Sequence, residues 1–302
     1  MTTQLAFDAM PRRLFACTPS RLTAFDCPRR YRFTYLDRPA PPRRGPWAHN
    51  TVGAVTHLAL HKWWNLSLSQ RTPANGATLV RRNWQSDGFR DAEQAAFWSE
   101  RAASWVEKYL AELDPGNEPL GVERTVSAPT TALALSGRVD RIDRREGAAV
   151  IVDYKTGRKV LTQDDARGSL ALAVYAVAAR RTLRMPTGRV ELHHLPSGTV
   201  SVHEHTDESL QRHILRAEAM AEEIVTATDT LESFTTGQTP ATTSDASATM
   251  SSTTMSIADE LFPARPSSAC SWCDFRAHCP QGQASSPTLR SWDGLAEVDA
   301  AV

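Results

Sequence analysis

No stretch of this 302-residue chain is long and apolar enough to span a bilayer. A membrane-spanning protein is therefore not expected. The N-terminus shows no apolar core followed by a small-residue cleavage site, so no secretory leader is expected either. Cysteine is scarce, at five residues. Without a secretory signal, that number argues against a disulfide framework. A cytoplasmic location follows, where reduced thiolates are free to hold metal. The pattern Gly-x-x-x-x-Gly-Lys-Ser/Thr is missing, so the chain is expected to carry no ATP-driven motor of its own. Formal net charge is zero, and the whole-chain balance alone gives no sign of nucleic-acid binding. Lysine occurs only at Lys62, Lys108, Lys155 and Lys159. Arginine carries the rest of the positive charge and gathers near the N-terminus. Arg12, Arg13, Arg21, Arg29, Arg30, Arg32, Arg38, Arg43 and Arg44 face only Asp8, Asp26 and Asp37 over the first fifty residues. Such a local surplus can face phosphates, although arginine is abundant throughout.

Apolar spacing sets the organisation. Leu22, Phe25, Tyr31 and Tyr35 form a stripe on short helical pieces around Pro28, and a helix is expected from about Thr51 with Val55, Leu58 and Trp63 on its apolar side. Helical spacing is clear over residues 89–113, where Phe89, Phe97, Trp105, Tyr109 and Leu113 recur until Asp114-Pro115-Gly116 stops the run. Val122–Ala128, Ala132–Ile142 and Ala149–Tyr154 then read as strands. Leu170–Leu183 reads as a buried helix, Arg189–Leu195 and Val200–His205 as a hairpin, and Thr206–Ala227 as a further helix capped by Thr206. Residues 226–256 are dominated by Thr, Ser and Ala and read as a flexible linker or insertion. Residues 283–302 read as a loose polar tail. What lies between 18 and 282 is expected to be one domain. It has a helical part (about 18–115), an α/β core (about 116–225) and a C-terminal cysteine segment (about 257–282).

Two constellations carry chemistry. The first is Gly137-Arg138-Val139-Asp140 followed by Val150-Ile151-Val152-Asp153-Tyr154-Lys155. Side chains alternate along a strand, so Asp153 and Lys155 share a face and Tyr154 points away. Pairing of the two strands as a hairpin brings Asp140 near Asp153. Two carboxylates suit Mg²⁺ or Mn²⁺, which prefer hard oxygen ligands. The cation lowers the pKa of bound water, and a nearby ammonium stabilises developing charge, so the set suits phosphodiester hydrolysis. The Tyr154 backbone carbonyl is a candidate third oxygen ligand. His57, in Gly53-Ala54-Val55-Thr56-His57, is a candidate nitrogen ligand, with His61 one turn on as the alternative. The second constellation is Cys270, Cys273 and Cys279 with Cys27 far upstream. Four thiolates fit either tetrahedral Zn²⁺ or a four-iron cluster, and spacing does not choose between them. Such a site would staple the two ends of the chain, with His278 as a weaker substitute ligand. Cys17 stands outside the pattern and reads as a buried apolar residue.

These motifs, in this order, resemble the RecB-like exonuclease family of the PD-(D/E)XK nuclease superfamily. That group includes CRISPR-associated RecB-like exonucleases and the nuclease domains of AddAB-type helicase–nucleases. The resemblance runs from Ser20 to Pro280. It rests on Cys27-Pro-Arg-Arg-Tyr-Arg-Phe, Gly53 to His57, Gly137 to Asp140, Asp153-Tyr-Lys155-Thr-Gly, Tyr175 and the three downstream cysteines. It implies an α/β fold with a mixed sheet flanked by helices. It implies a 4Fe-4S cluster on Cys27, Cys270, Cys273 and Cys279, and Mg²⁺ or Mn²⁺ on His57, Asp140, Asp153 and the Tyr154 carbonyl. Lys155 and Tyr175 join Asp140 and Asp153 as catalytic residues. The implied activity is a metal-dependent DNA exonuclease acting on single strands or ends in repair or recombination, with a helicase as a possible partner. The alternative is a non-catalytic DNA-binding or docking subunit. One departure stands out. Ala171 occupies the position where the family helix often has glutamine, four residues before its tyrosine. Two further expectations concern the cysteine segment. Arg29, Arg30 and Arg32, beside Cys27, would present a basic surface to DNA. Trp272 would pack on the cluster or stack on a base.

Overall fold

The structure is a computed structural model that describes residues 14–236 and 252–295. Among these, no helix is long and apolar enough to cross a membrane. Three helices carry most of the N-terminal half: α3 (Ala48–Trp64), α4 (Pro73–Arg82) and α5 (Ala92–Ala111). Asp91 caps α5 by accepting the Gln94 N–H at 2.8 Å. Trp98, Ala102, Trp105, Val106 and Leu110 recur at three- and four-residue intervals along α5 and are buried against α3 and α4. Burying that stripe is what holds the three helices together.

The sheet is mixed and six-stranded. Its strands are β1 (Phe15–Cys17), β2 (Gly121–Pro129), β3 (Leu133–Arg145), β4 (Ala148–Lys155), β5 (Arg189–His194) and β6 (Thr199–Glu204). The long strand β3 organises it. One edge of β3 pairs with β2 along nearly its whole length. The other edge is shared. β1 runs parallel to Leu133–Leu135, and β4 runs antiparallel to Arg141–Arg145. Ser136 to Asp140 therefore meet no strand on that side, and the sheet opens between β1 and β4. β4 then pairs in parallel with β5, and β5 with β6.

Alternation along β4 sends Val150, Val152 and Tyr154 into the α3–α5 core. Ala149 and Ile151 go into a second core under α7 (Leu170–Leu183), which follows the short helix α6 (Gln163–Gly168). A third core joins β1 and two short helices, α1 (Pro19–Ala24) and α2 (Pro28–Tyr35), to α8 (Asp207–Thr236) and α9 (Ser252–Leu261). Leu22, Phe25, Tyr31 and Tyr35 lie in it as the stripe predicts, with the buried Cys17.

Two stretches differ from expectation. The Thr/Ser-rich stretch 226–256 was expected to be flexible, yet α8 continues to Thr236 and α9 starts at Ser252; residues 237–251 lie outside the described set. Leu231 is buried and extends the α8 stripe that Ile214, Ala217, Ala221 and Ile224 begin. The expected loose tail packs as well, as far as Leu295. Helix α10 (Pro280–Ser285) runs into its start, Trp292 and Leu295 join the α3–α5 core, and Ala48 donates its N–H to Ser291 O at 3.0 Å. Two well-spaced apolar residues are enough to seat a segment whose composition is otherwise polar.

Candidate active site and cysteine cavity

The gap between β1 and β4 is the floor of a cleft of about 650 Å³. His57, Glu123, Gly137, Asp140 and Tyr175 line it. Asp140 stands where β4 leaves β3. The last ladder pair is Arg141↔Val152, so the next would set Asp140 opposite Asp153. Instead the Asp140 carboxylate intercepts the ladder and accepts the Tyr154 N–H at 2.8 Å. That bond fixes one carboxylate oxygen and turns the other towards α3. There His57 Nδ1 lies 3.4 Å from Asp140 Oδ1, and His57 Nε2 donates to the Tyr154 carbonyl at 3.2 Å. Both contacts suit a protonated imidazole. Burial works against that charge, but the Asp140 hydrogen bond and the charges of Asp140, Asp153 and Glu123 outweigh it, and the pKa of His57 is raised.

Glu123 was not foreseen. The β2–β3 register on either side places it across from Asp140. Its backbone is in the left-handed region, φ 49°, an uncommon conformation for a non-glycine residue. Ligand atoms of His57, Glu123 and Asp140 all lie within 4.8 Å of one another. Arg138 Nε pairs with Glu123 Oε2 at 2.8 Å. The signal was in the sequence, a lone acid in the strand preceding the Asp140 strand. Using it required knowing the β2–β3 register.

Asp153 and Lys155 share a face of β4 as expected, and Lys155 Nζ is 2.5 Å from Asp153 Oδ2. Burial pushes the Asp153 carboxyl upward; Lys155 opposes this and Asp140 reinforces it, leaving the pKa raised. Tyr154 points the other way, into the core, with its ring edge-on to His57. Tyr175 projects from α7. Burial, and then the charges of Asp153, Asp140 and Glu123, push its phenol up to about 12, so it keeps its proton. His61 also lines the cleft.

Two glycines of the sequence motifs have steric reasons. A Cβ on Gly137 would sit 2.3 Å from Tyr175 Cε1, so the tyrosine ring lies directly on the β3 backbone. A Cβ on Gly53 would sit 3.2 Å from Thr156 Oγ1, where α3 closes on the end of β4. Gly137→Ala is expected to cost about 1–3 kcal/mol of stability by overpacking. Urea unfolding of the single mutant and of the same change in a Tyr175→Ala background checks this. An equal cost in both backgrounds would contradict the assignment of the clash.

Cys27, Cys270, Cys273 and Cys279 line a second, mostly apolar cavity with Phe33, Pro266 and Phe275. None is in a disulfide. Three sulfurs accept backbone N–H groups: Cys27 from Arg265 at 3.5 Å, Cys270 from Ser267 at 3.4 Å and Cys279 from Gly282 at 3.3 Å. Four sulfurs facing one small cavity, with N–H donors aimed at three, fit a metal or cluster. Cys17 is elsewhere, and burial pushes its thiol up to about 11. His278 bonds to Pro42 O at 3.1 Å and does not line this cavity.

The arginines beside Cys27 do not form the basic surface expected of them. Arg29 and Arg32 are buried and pair with Asp259, and Arg32 also with Asp37. Arg30 donates to the carbonyls of Thr23 and Ala24. Arg29 and Arg32 tie α2 to α9 and Arg30 ties it to α1, a tertiary use that local charge counting does not reveal. Trp272 packs on Trp47 and His49, with ring centres 5.1 and 5.3 Å away.

A family model described as the PD-(D/E)XK nuclease superfamily matches residues 16–280. No curated protein matches the chain.

Proposed function

The chain belongs to the PD-(D/E)XK nuclease superfamily, and from that premise we propose that it is a RecB-like, metal-dependent DNA exonuclease acting on single strands or ends in DNA repair or recombination. The observation that carries this reading is the convergence of His57, Glu123 and Asp140 at the point where Asp153 and Lys155 end β4. The donor set is mostly hard oxygen, which suits Mg²⁺ or Mn²⁺. Asp140, Asp153, Glu123, His57 and the Tyr154 carbonyl are the residues that would hold it. A bound cation supplies positive charge at the phosphate and a lowered pKa for the attacking water.

The remaining work falls to side chains. Asp153 holds the Lys155 ammonium at the cleft edge, where it orients the water and meets the charge that develops on phosphate. The protonated Tyr175 hydroxyl donates to a phosphate oxygen and fixes the strand against β3. Ala171 offers no polar group one turn before it, so Tyr175 and Arg138 carry more of the positioning.

The cysteine cavity is read as the site of a 4Fe-4S cluster with a structural role. It joins the start of α2 to the segment before α10. Cys27→Ser is expected to bleach the broad visible absorption of anaerobically purified protein and to lower its melting temperature. A colourless wild type containing stoichiometric zinc would assign the site to Zn²⁺ instead.

The test of function is cleavage of end-labelled single-stranded DNA with Mn²⁺ or Mg²⁺. Metal-dependent shortening from one end supports the exonuclease. DNA binding without cleavage by cluster-loaded protein would favour the non-catalytic subunit.

A further inference from the structure

Arg138 is the only arginine or lysine among the described residues that lines the cleft. It stands two residues before Asp140 on β3. Alternation puts both on the cleft face, while Val139 between them is buried in the core under α7. Its side chain is 71 % exposed, and its one ion pair runs from Nε to Glu123 Oε2 at 2.8 Å. Neither terminal nitrogen of the guanidinium donates a hydrogen bond among the described residues. Arg141, on the other face of β3, is different: its terminal nitrogens are taken by Tyr109, Tyr154 and Asp143. Burial and the cleft carboxylates push the Tyr175 phenol up, and the charge of Arg138 works against them, as expected of two groups that face one space.

A planar guanidinium with both terminal nitrogens unbound matches two oxygens of a phosphate. Its present partner has a second use. Glu123 is one of the three groups whose ligand atoms converge within 4.8 Å, so one carboxylate serves two positive charges. An ion pair this exposed contributes little on its own, and Arg138 can leave it at small cost. The other carboxylate that lines the cleft, Asp140, is occupied by the Tyr154 N–H and His57. A phosphate entering the cleft is then the acceptor that fits the open fork.

We infer, building on the nuclease reading of the cleft, that Arg138 is the phosphate-binding arginine of the site, held on Glu123 in the free protein and passed to the strand phosphate once Glu123 helps to hold the cation. On the phosphate its terminal nitrogens bind non-bridging oxygens and offset the charge that builds there during cleavage. The exchange also couples the two ligands. Cation and strand each remove a competitor of the other, so each raises the other's affinity.

The test measures single-stranded DNA binding against salt, with and without Mn²⁺, in a Lys155→Ala background expected to keep the strand intact. Arg138 is exposed, so its replacement empties no core. Arg138→Gln is expected to weaken Mn²⁺-dependent binding about tenfold or more. It is also expected to flatten the slope of log K against log salt by about 0.7, the share of one phosphate contact on a single strand. Arg138→Lys keeps the charge and restores the slope, but recovers only part of the affinity because it lacks the fork. Mn²⁺ affinity in the absence of DNA is expected to be equal or higher in Arg138→Gln, since Glu123 loses a competing partner. An unchanged salt slope would overturn the inference. So would weaker Mn²⁺ binding by Arg138→Gln with no loss of DNA binding at saturating Mn²⁺, which would make Arg138 a support for Glu123 alone. Wild type that cleaves no strand yet shows the slope change on Arg138→Gln would sink the nuclease reading and leave the phosphate contact standing.

Discussion

Asp153→Asn is expected to reduce metal-dependent DNA cleavage by about 10³-fold or more while leaving the melting temperature unchanged or higher. A metal-held transition state draws several kcal/mol from the ligands that fix the ion, and each 1.36 kcal/mol is about tenfold in rate. The stability part has a separate cause. Asp153 is pushed upward by burial and by the nearby charge of Asp140, with Lys155 opposing. In metal-free protein its charge is therefore a strain, and the neutral amide relieves it. Loss of activity with gain or retention of stability separates a ligand from a structural residue. Cleavage at the wild-type rate, or a fall in Tm that matches the fall in activity, would count against the assigned role. Asp140 is expected to behave differently, because its carboxylate also accepts the Tyr154 N–H at 2.8 Å. Asp140→Ala removes that bond and is expected to cost stability as well as activity.

The second large effect concerns Glu191. It is 1 % exposed on β5 and bonds to Arg145 and Arg189 at 2.7 Å each and to His193 at 2.9 Å. His193 Nδ1 accepts from the Tyr109 hydroxyl at 2.8 Å, and Arg141 donates to both Tyr109 and Tyr154. This buried network supports Tyr154, whose carbonyl and N–H shape the cleft. Glu191→Ala leaves Arg189 and His193 without this acceptor and Arg145 with Asp143 alone, and is expected to destabilise by about 1–3 kcal/mol. A pH dependence accompanies it. Burial alone would raise the Glu191 pKa, but the His193 and Arg189 hydrogen bonds and the Arg145 charge bring it down to about 2 from an ordinary 4.5. A depressed carboxylate stabilises the fold above its unfolded pKa. That contribution is lost as pH falls from about 4.5 towards 2. Urea unfolding across this range is expected to show a smaller acid loss in Glu191→Gln than in wild type. Parallel pH profiles would refute the link.

The sequence made the strands of the cleft legible because they are flanked by turn residues and alternate cleanly. Asp140, Asp153 and Lys155 fall where that alternation places them. Glu123 escaped because its partner is visible only once β2 is registered on β3. The Glu191 network escaped for another reason. Glu191 and His193 alternate with apolar residues as an exposed strand face would, yet β5 is covered on both sides and its polar face is satisfied internally. Arg29 and Arg32 show the same limit, since their charge is spent on Asp259 and Asp37. Local pattern predicts where a strand lies more securely than what meets its side chains.

The cleft between β1 and β4 is proposed to hydrolyse DNA with a divalent cation. The most direct measurement is digestion of end-labelled single-stranded DNA by cluster-loaded wild type with Mn²⁺, with and without a chelator. A metal-dependent ladder that vanishes on chelation and in Asp153→Asn is expected. Intact DNA at every Mn²⁺ concentration, from folded protein that still binds the strand, would contradict it.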